Sequence, residues 1–419
     1  MSTIKKDIYS VIFSNFMAAG LGFVLNIVLA RLLDVDEYGR IFLIFSLVTV
    51  LYTIFDFGFN SAQVIFYNKT KDEYGEYVAY GYIAHIYKYW CVVTNIISLS
   101  AIYILAFKYS LDRLELVCLY SSFSLFTLFR FYISSLQSFG FWLLYNKLNI
   151  LNNIVKSILI LSFVFALPTF ISGFNMYESA LVGFFLYPFV LLIIVYLIYP
   201  KIKKEKCSKE LTKAFHHSFF RTLLPIGIIA FLSIVIMRVD LLIIEHFLGF
   251  EALGIYAASS SLALAFPLIT ASIMNVFLKK MSESGVEYLA VIFDKQKRLI
   301  FILPMIAISV YLLSPYIFNL LYGERYIGGG DVFSLLVVAY LGGIYFTPFE
   351  SYFYAHKPYI VLYIRFVQLL AMVLLQVILI RDTGLIGIAI GIFVSRLISW
   401  LAITTLSIKE LKQSASRHN

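Results

Sequence analysis

The chain has 419 residues, 61% of them hydrophobic and 14% charged, with a formal net charge of +9 and a mean hydropathy of +0.89. That is more apolar surface than a soluble fold can bury, so the bilayer is its solvent, and a soluble enzyme or binding domain is excluded. The basic residues are scattered over short loops and helix interiors, which fits membrane topology and not a nucleic-acid-reading face.

A hydrocarbon core of roughly 30 Å takes about 20 helical residues per crossing, and the apolar tracts here are mostly that long. The short alternating segments of a barrel are missing, so helices are the expected spanning element. In chain order the hydropathy predicts spans at Ile8–Leu33, Ile41–Phe66, Val78–Phe107, Glu115–Gly140, Phe141–Leu167 and Tyr177–Tyr199. After the polar run Lys201–Lys213, KIKKEKCSKELTK, six more follow: Phe219–Leu248, Leu253–Leu278, Leu299–Leu321, Val332–Ala355, Tyr359–Ile380 and Gly384–Leu406. The apolar run after Lys5 and Lys6 is too long for a signal peptide and lacks a small-residue cleavage site, so it reads as the first span. Lys279–Arg298, with mixed charge, reads as a short helix lying on the membrane surface. Tyr322–Asp331, YGERYIGGGD, reads as a polar outer turn.

Basic residues alternate from loop to loop. Twenty, including the six central lysines, fall on the side of the N-terminus, and five (Arg40, Lys108, Arg113, Arg325 and Arg381) fall opposite. The asymmetry predicts cytoplasmic termini and an even number of spans. The organisation expected is an N-terminal six-helix bundle over 1–200, a cytoplasmic connecting loop over 201–218, a C-terminal six-helix bundle over 219–406 and a cytoplasmic tail over 407–419. Cys91, Cys118 and Cys207 have no pairing or metal-ligand spacing, and the histidines lack it too, so neither a disulfide nor a metal centre is expected.

An internal echo supports two matching halves. Leu33, Asp36, Gly39 and Ile41 in LLDVDEYGRI recur 215 positions on as Leu248, Glu251, Gly254 and Tyr256 in FLGFEALGIY, each on the turn after the first span of its half. ALVG (Ala180–Gly183) and GLIG (Gly384–Gly387) form a fainter pair. With six spans per half the repeats are parallel, and two bundles related by an axis along the membrane normal would enclose a central cavity.

The segments LARLLDVDEYGRIFLI (Leu29–Ile44), MRVDLLIIEHFLGFEALGIYAAS (Met237–Ser259), LLYGERY (Leu320–Tyr326) and GLIGIAIG (Gly384–Gly391) resemble the polysaccharide-export branch of the MOP transporter superfamily, and within it the Wzx-type O-antigen flippases. The resemblance implies an all-α integral membrane fold of the MATE/MOP kind, with about twelve transmembrane helices in two parallel six-helix bundles around a cavity. It also implies translocation of an undecaprenyl-pyrophosphate-linked oligosaccharide, an O-antigen or related repeat unit, from the inner to the outer leaflet of the bacterial inner membrane. The implied partners are the lipid-linked oligosaccharide and membrane lipids, with a polysaccharide polymerase and a chain-length regulator beside them. No cofactor, nucleic acid or catalytic residue is implied.

Ionisable residues inside spans are costly and mark candidate functional positions. Arg130, Lys156, Arg238 and Arg396 fall near the middle of spans, while Arg31, Lys88, Arg221 and Arg365 fall nearer the ends. Asp56, Asp240, Glu245 and Glu350 stand against them. The candidate substrate-binding set is Arg130, Lys156, Arg238, Arg396, Lys88 and Arg31, with Asp56 and Asp240 as candidate ion-coupling carboxylates. The bland alternatives are snorkelling for the end-proximal cations, a structural ion pair for Arg238 with Asp240, and helix-packing polarity for Asp56 with Asn60. A positively lined passage lowers the cost of carrying a pyrophosphate.

Three other readings compete. Asp34-Val35-Asp36 is a D-x-D that in a membrane glycosyltransferase would hold a divalent cation, yet Asp34 aligns with Gly249 in the repeat and there is no soluble domain. A MATE-type drug or cation exporter would share the architecture but would line its cavity with carboxylates. A surface-polysaccharide polymerase would show a long outer loop.

Overall fold

The structure is a computed structural model that describes Met17, residues 19–200 and residues 209–418. The start of the first expected span, Lys5, Lys6, Cys207 and positions 201–208 of the central lysine run lie outside the described residues. Among the described residues there is no strand.

The helices are α1 (Ala19–Leu32), then α2 (Val35–Asp56), α3 (Phe59–Tyr74), α4 (Glu76–Tyr109), α5 (Arg113–Ser138), α6 (Trp142–Phe170) and α7 (Met176–Ile198). After them come α8 (Lys209–Ala263), α9 (Ala265–Lys295), α10 (Leu299–Tyr322), α11 (Gly329–His356), α12 (Pro358–Thr383) and α13 (Leu385–His418). Ten helical stretches among the described residues are long and apolar enough to cross a membrane, which makes this a multi-pass membrane protein. The count covers the described residues, which include only the end of the first expected span, and it takes α8 as one stretch although α8 is two apolar helices joined end to end at Gly249, whose φ of 82° and ψ of −173° interrupt the helix.

Two element boundaries depart from the hydropathy. The second expected span, Ile41–Phe66, is broken: α2 starts earlier, at Val35, and stops at Asp56, and Phe57 (φ 44°) and Gly58 (φ 75°) turn the chain into α3. The break lies where two backbones touch. A Cβ on Gly58 would sit 3.0 Å from the Gly227 nitrogen, and one on Gly227 would sit 2.4 Å from the Phe57 ring. The expected surface helix within Lys279–Arg298 is instead the continuation of α9. Met281, Leu289 and Ile292 recur on one helical face and bury themselves against Phe349, Phe353 and Ile403, so the polar residues between them do not end the helix. At its end Lys297 donates to Asp294 at 2.7 Å and holds that carboxyl below its usual range.

The chain packs as two compact units. The first comprises the described residues up to Leu25 and Ile41–Ile234; the second comprises Asn26–Arg40 and the chain from Val235 onward. In the first unit α7 packs on α5 and α6, and α3 on α4 and α5. Gly183 lets α7 approach α6 so closely that a Cβ would lie 2.7 Å from the Ile160 Cα. Its aromatic core includes Phe59, Phe66, Tyr82, Tyr87, Phe131 and Phe219, with the Tyr87 and Phe131 rings stacked at 3.7 Å. Capping boxes at Asp112/Glu115 and Asn175/Glu178 start α5 and α7. In the second unit α9, α10 and α13 all pack on α11, and α12 packs along α13.

The hairpin Asn26–Arg40 is fastened into the second unit by polar contacts. Tyr326 Oη donates to the Ala30 carbonyl at 2.8 Å, Arg325 pairs with Asp34 at 3.3 Å, and Asn26 Nδ2 donates to Ser261 Oγ at 3.3 Å. The two glycines of the sequence echo meet here. A Cβ on Gly39 would lie 2.1 Å from the Phe250 carbonyl oxygen, and one on Gly254 would lie 2.1 Å from the Val35 carbonyl oxygen. Phe250 is Val35 moved on by the repeat offset of 215, so the contact is reciprocal, as about a local two-fold axis. Neither glycine is in a turn, contrary to the sequence reading; both are helical residues that let two helices cross.

Candidate functional site

In the first unit, Tyr52 and Asp56 share a face of α2 at i and i+4, and the break after Asp56 brings Asn60 of α3 beside them. The Asn60 amide donates to Asp56 Oδ1 and, at 3.3 Å, to Tyr52 Oη. Arg130 of α5 reaches the same hydroxyl, Nε to Oη 3.3 Å, with its guanidinium carbon 5.7 Å from the Tyr52 ring centre, and it attracts Asp56 through space. Tyr52 thus joins the deep cation to the carboxamide and carboxylate. Lys156 of α6 lies with Nζ 4.7 Å from the Phe45 ring centre and 5.8 Å from that of Phe184, and those two rings stack at 4.0 Å. The ammonium is held by π faces.

In the second unit, Asp240 is buried; its Oδ1 accepts from the Leu241 backbone at 2.9 Å and its Oδ2 from the Tyr256 hydroxyl. Arg238, two residues earlier, is close enough to attract Asp240. Tyr340 of α11 is within electrostatic reach of Asp240, Arg238 and Arg396, and the Arg396 guanidinium is 4.5 Å from its ring centre. Glu350 and Arg365 form an ion pair at 2.5 Å, and Arg365 also donates to Gln368 at 2.9 Å. Arg396 is in electrostatic range of both members of that pair. α8, α11, α12 and α13 therefore share one polar network.

The sequence candidates thus divide. Arg130 and Asp56 meet in the first unit, where Lys156 has its own aromatic site; Arg238, Asp240 and Arg396 meet in the second. Lys88 is exposed on α4. Arg31 donates from Nε to the Leu321 carbonyl at 2.7 Å and from Nη2 to that of Leu320, at the C-terminal end of α10, where a cation complements the helix dipole. Sequence reasoning missed Tyr52, Tyr256 and Tyr340, whose rings and hydroxyls tie the charges together. The i, i+4 spacing of Tyr52 to Asp56 was a usable signal, whereas the contact of Tyr256 with Asp240 has no local signature. Arg130 thus attracts Asp56 in one unit, where Lys156 stands apart on its two rings, while in the other Arg238 attracts Asp240 and Arg365 pairs with Glu350.

Asp34 of the D-x-D is engaged by Arg325. Among the described residues, no three His, Cys, Asp or Glu side chains gather as a metal site.

The family model described as polysaccharide biosynthesis protein matches residues 4–283, about two thirds of the chain. The chain belongs to this family. As a polysaccharide biosynthesis protein it is of the polysaccharide-export type of the MOP superfamily. None of the curated proteins matches it in sequence. Among solved structures, the lipid II flippase MurJ in an inward closed conformation superposes with a TM-score of 0.73 at 16% identity, over 95% of this chain and 88% of that one. A multidrug resistance MATE family transporter of the MOP superfamily in an inward-facing conformation gives 0.66 at 16% identity over 94% and 95%. An outward-facing MATE structure gives 0.65 at 17% identity over 99% and 97%. These likenesses agree with the all-helical membrane fold expected of the polysaccharide biosynthesis family.

Proposed function

We propose that this protein is a flippase that carries an undecaprenyl-pyrophosphate-linked oligosaccharide, an O-antigen or related surface-polysaccharide repeat unit, from the inner to the outer leaflet of the bacterial inner membrane. Both termini are then cytoplasmic, with the 201–218 segment on the same side between the two bundles. The observation that carries the reading is the set of four cations held by aromatic side chains or a carboxylate inside apolar helices. An anionic pyrophosphate headgroup is matched by Arg130 and Lys156 in one unit and by Arg238 and Arg396 in the other. The protein's task is to keep sugar hydroxyls and phosphate out of hydrocarbon during the crossing, while the isoprenoid tail stays in lipid. Alternating access is supported by the fold, since MATE transporters with it have been solved in inward-facing and outward-facing conformations.

Asp56 and Asp240 are the proposed coupling carboxylates, each next to a cation that the substrate would engage. Lys88 and Arg31, both exposed, are the peripheral members of the proposed substrate-binding set. A polysaccharide polymerase and a chain-length regulator are the proposed protein partners.

The test is translocation of labelled lipid-linked oligosaccharide in proteoliposomes with Arg130, Lys156, Arg238 and Arg396 changed singly to alanine. Loss of about tenfold or more in initial rate is expected where a charge-assisted contact worth about 1.5–3 kcal/mol is removed. Retained transport in all four rejects the cationic path.

The MATE-like fold also favours a second reading, a drug or cation exporter. A cationic dye that is transported and competes with the lipid-linked oligosaccharide would support it. The four deep cations, Arg130, Lys156, Arg238 and Arg396, argue the other way.

A further inference from the structure

Two adjoining cavities on α12 and α13 have no part in the clusters above. The first is an apolar groove of about 590 Å³ along the seam between the helices, with Tyr359, Tyr363 and Val367 from α12 and Ile398, Ala402 and Leu406 from α13 in its walls. The second, about 450 Å³, lies at the C-terminal end of α13 and is lined by Thr405, Ile408, Lys409, Lys412 and Gln413. Thr405 borders both, so hydrocarbon surface passes directly into a site with two exposed ammonium groups. Glu410, the acidic residue between those lysines, is engaged by Lys357 at 2.5 Å.

The groove's length selects its occupant. Tyr359 to Val367 and Ile398 to Leu406 each cover eight residue steps, about 12 Å at a rise of ~1.5 Å. One leaflet of the hydrocarbon core is about 15 Å deep. The groove therefore takes one chain of a lipid from the leaflet at the C-terminal end of α13 and is too short to follow a chain across the membrane. We propose that it binds an anionic phospholipid of the bilayer, with the phosphate between Lys409 and Lys412 and one acyl chain laid along the α12–α13 seam. A zwitterionic lipid fits the groove equally well but brings no net charge to the lysines. This site is independent of the flippase reading and stands or falls without it.

The delipidated full-length protein is titrated in mixed micelles with phosphatidylglycerol or phosphatidylcholine, bound lipid is counted by native mass spectrometry, and thermal unfolding is followed in parallel. Wild type is expected to retain phosphatidylglycerol about tenfold or more over phosphatidylcholine, since each lysine near an anionic lipid surface contributes on the order of a severalfold preference. Phosphatidylglycerol is also expected to raise Tm, as any ligand of the folded state does. Lys409→Gln with Lys412→Gln should abolish the preference and keep phosphatidylcholine retention. Ala402→Trp, which fills the groove, should lower retention of both lipids; Val367→Trp is the second groove variant, and a wild-type helical circular dichroism spectrum qualifies each. Equal retention of the two lipids by wild type, or an unchanged preference in the double lysine variant, overturns the site. Tighter binding of undecaprenyl phosphate through the same lysines overturns its assignment to a bilayer phospholipid.

Discussion

At the residue scale, a charge inside the bilayer is recognised by what holds it. Arg130 and Arg31 are both arginines inside or at the end of apolar helices, yet Arg130 meets a tyrosine hydroxyl and Arg31 meets two backbone carbonyls at the end of α10. Removing Arg31 leaves those carbonyls without a donor, so Arg31→Ala is expected to cost about 1 kcal/mol and lower Tm while changing transport less than Arg130→Ala does. Thermal unfolding in detergent and initial transport rates, measured on the same preparations, separate the two roles; equal transport losses would give Arg31 the same weight on the substrate path as Arg130. Tyr256→Phe removes the hydroxyl that donates to Asp240, a carboxylate only 6% exposed, and leaves a buried acceptor unsatisfied. The expected cost is about 1–3 kcal/mol, read as a lower Tm, and Tyr256→Phe in an Asp240→Asn background should cost less because the two groups are coupled.

At the element scale, glycines decide where helices cross. Gly39 and Gly254 each present a bare Cα to the other helix, and a side chain on either would overlap a carbonyl oxygen at 2.1 Å. Gly39→Val and Gly254→Val are therefore expected to destabilise the fold by about 1–3 kcal/mol, as overpacking does. Because the contact is reciprocal, the double variant should cost less than the sum, the first substitution having already separated the helices. Additive losses would show that the two sites act separately. Arg325→Ala, which removes an exposed ion pair, is expected to change Tm little.

At the scale of the whole molecule, the prediction concerns net charge movement. Carrying about two negative charges outward across an inside-negative membrane is favoured by roughly 4–5 kcal/mol per 100 mV. Transport in proteoliposomes should accelerate when a potassium diffusion potential makes the substrate-loaded side negative and slow when the sign is reversed. Independence from potential would mean that compensating cations travel outward with the substrate, whereas a coupling cation moving inward in exchange would steepen the dependence.

The sequence by itself determined the solvent, the element type and the approximate place of most spans. These follow from the one-dimensional run of apolar residues, since a backbone in hydrocarbon must bond to itself and a helix does so locally. α4, α5, α6, α7, α10, α11 and α12 begin and end within a few residues of their hydropathic limits. The echo that pairs Gly39 with Gly254 was legible too, but not its meaning: two glycines 215 positions apart read as turn residues until the fold brings them face to face. Only the tertiary structure decided the break at Phe57 and Gly58, the fastening of Asn26–Arg40 into the second unit, and which charges share a tyrosine. Each of these depends on a contact between residues far apart in the chain, and hydropathy, being a sum over neighbours in sequence, carries no information about such a pair.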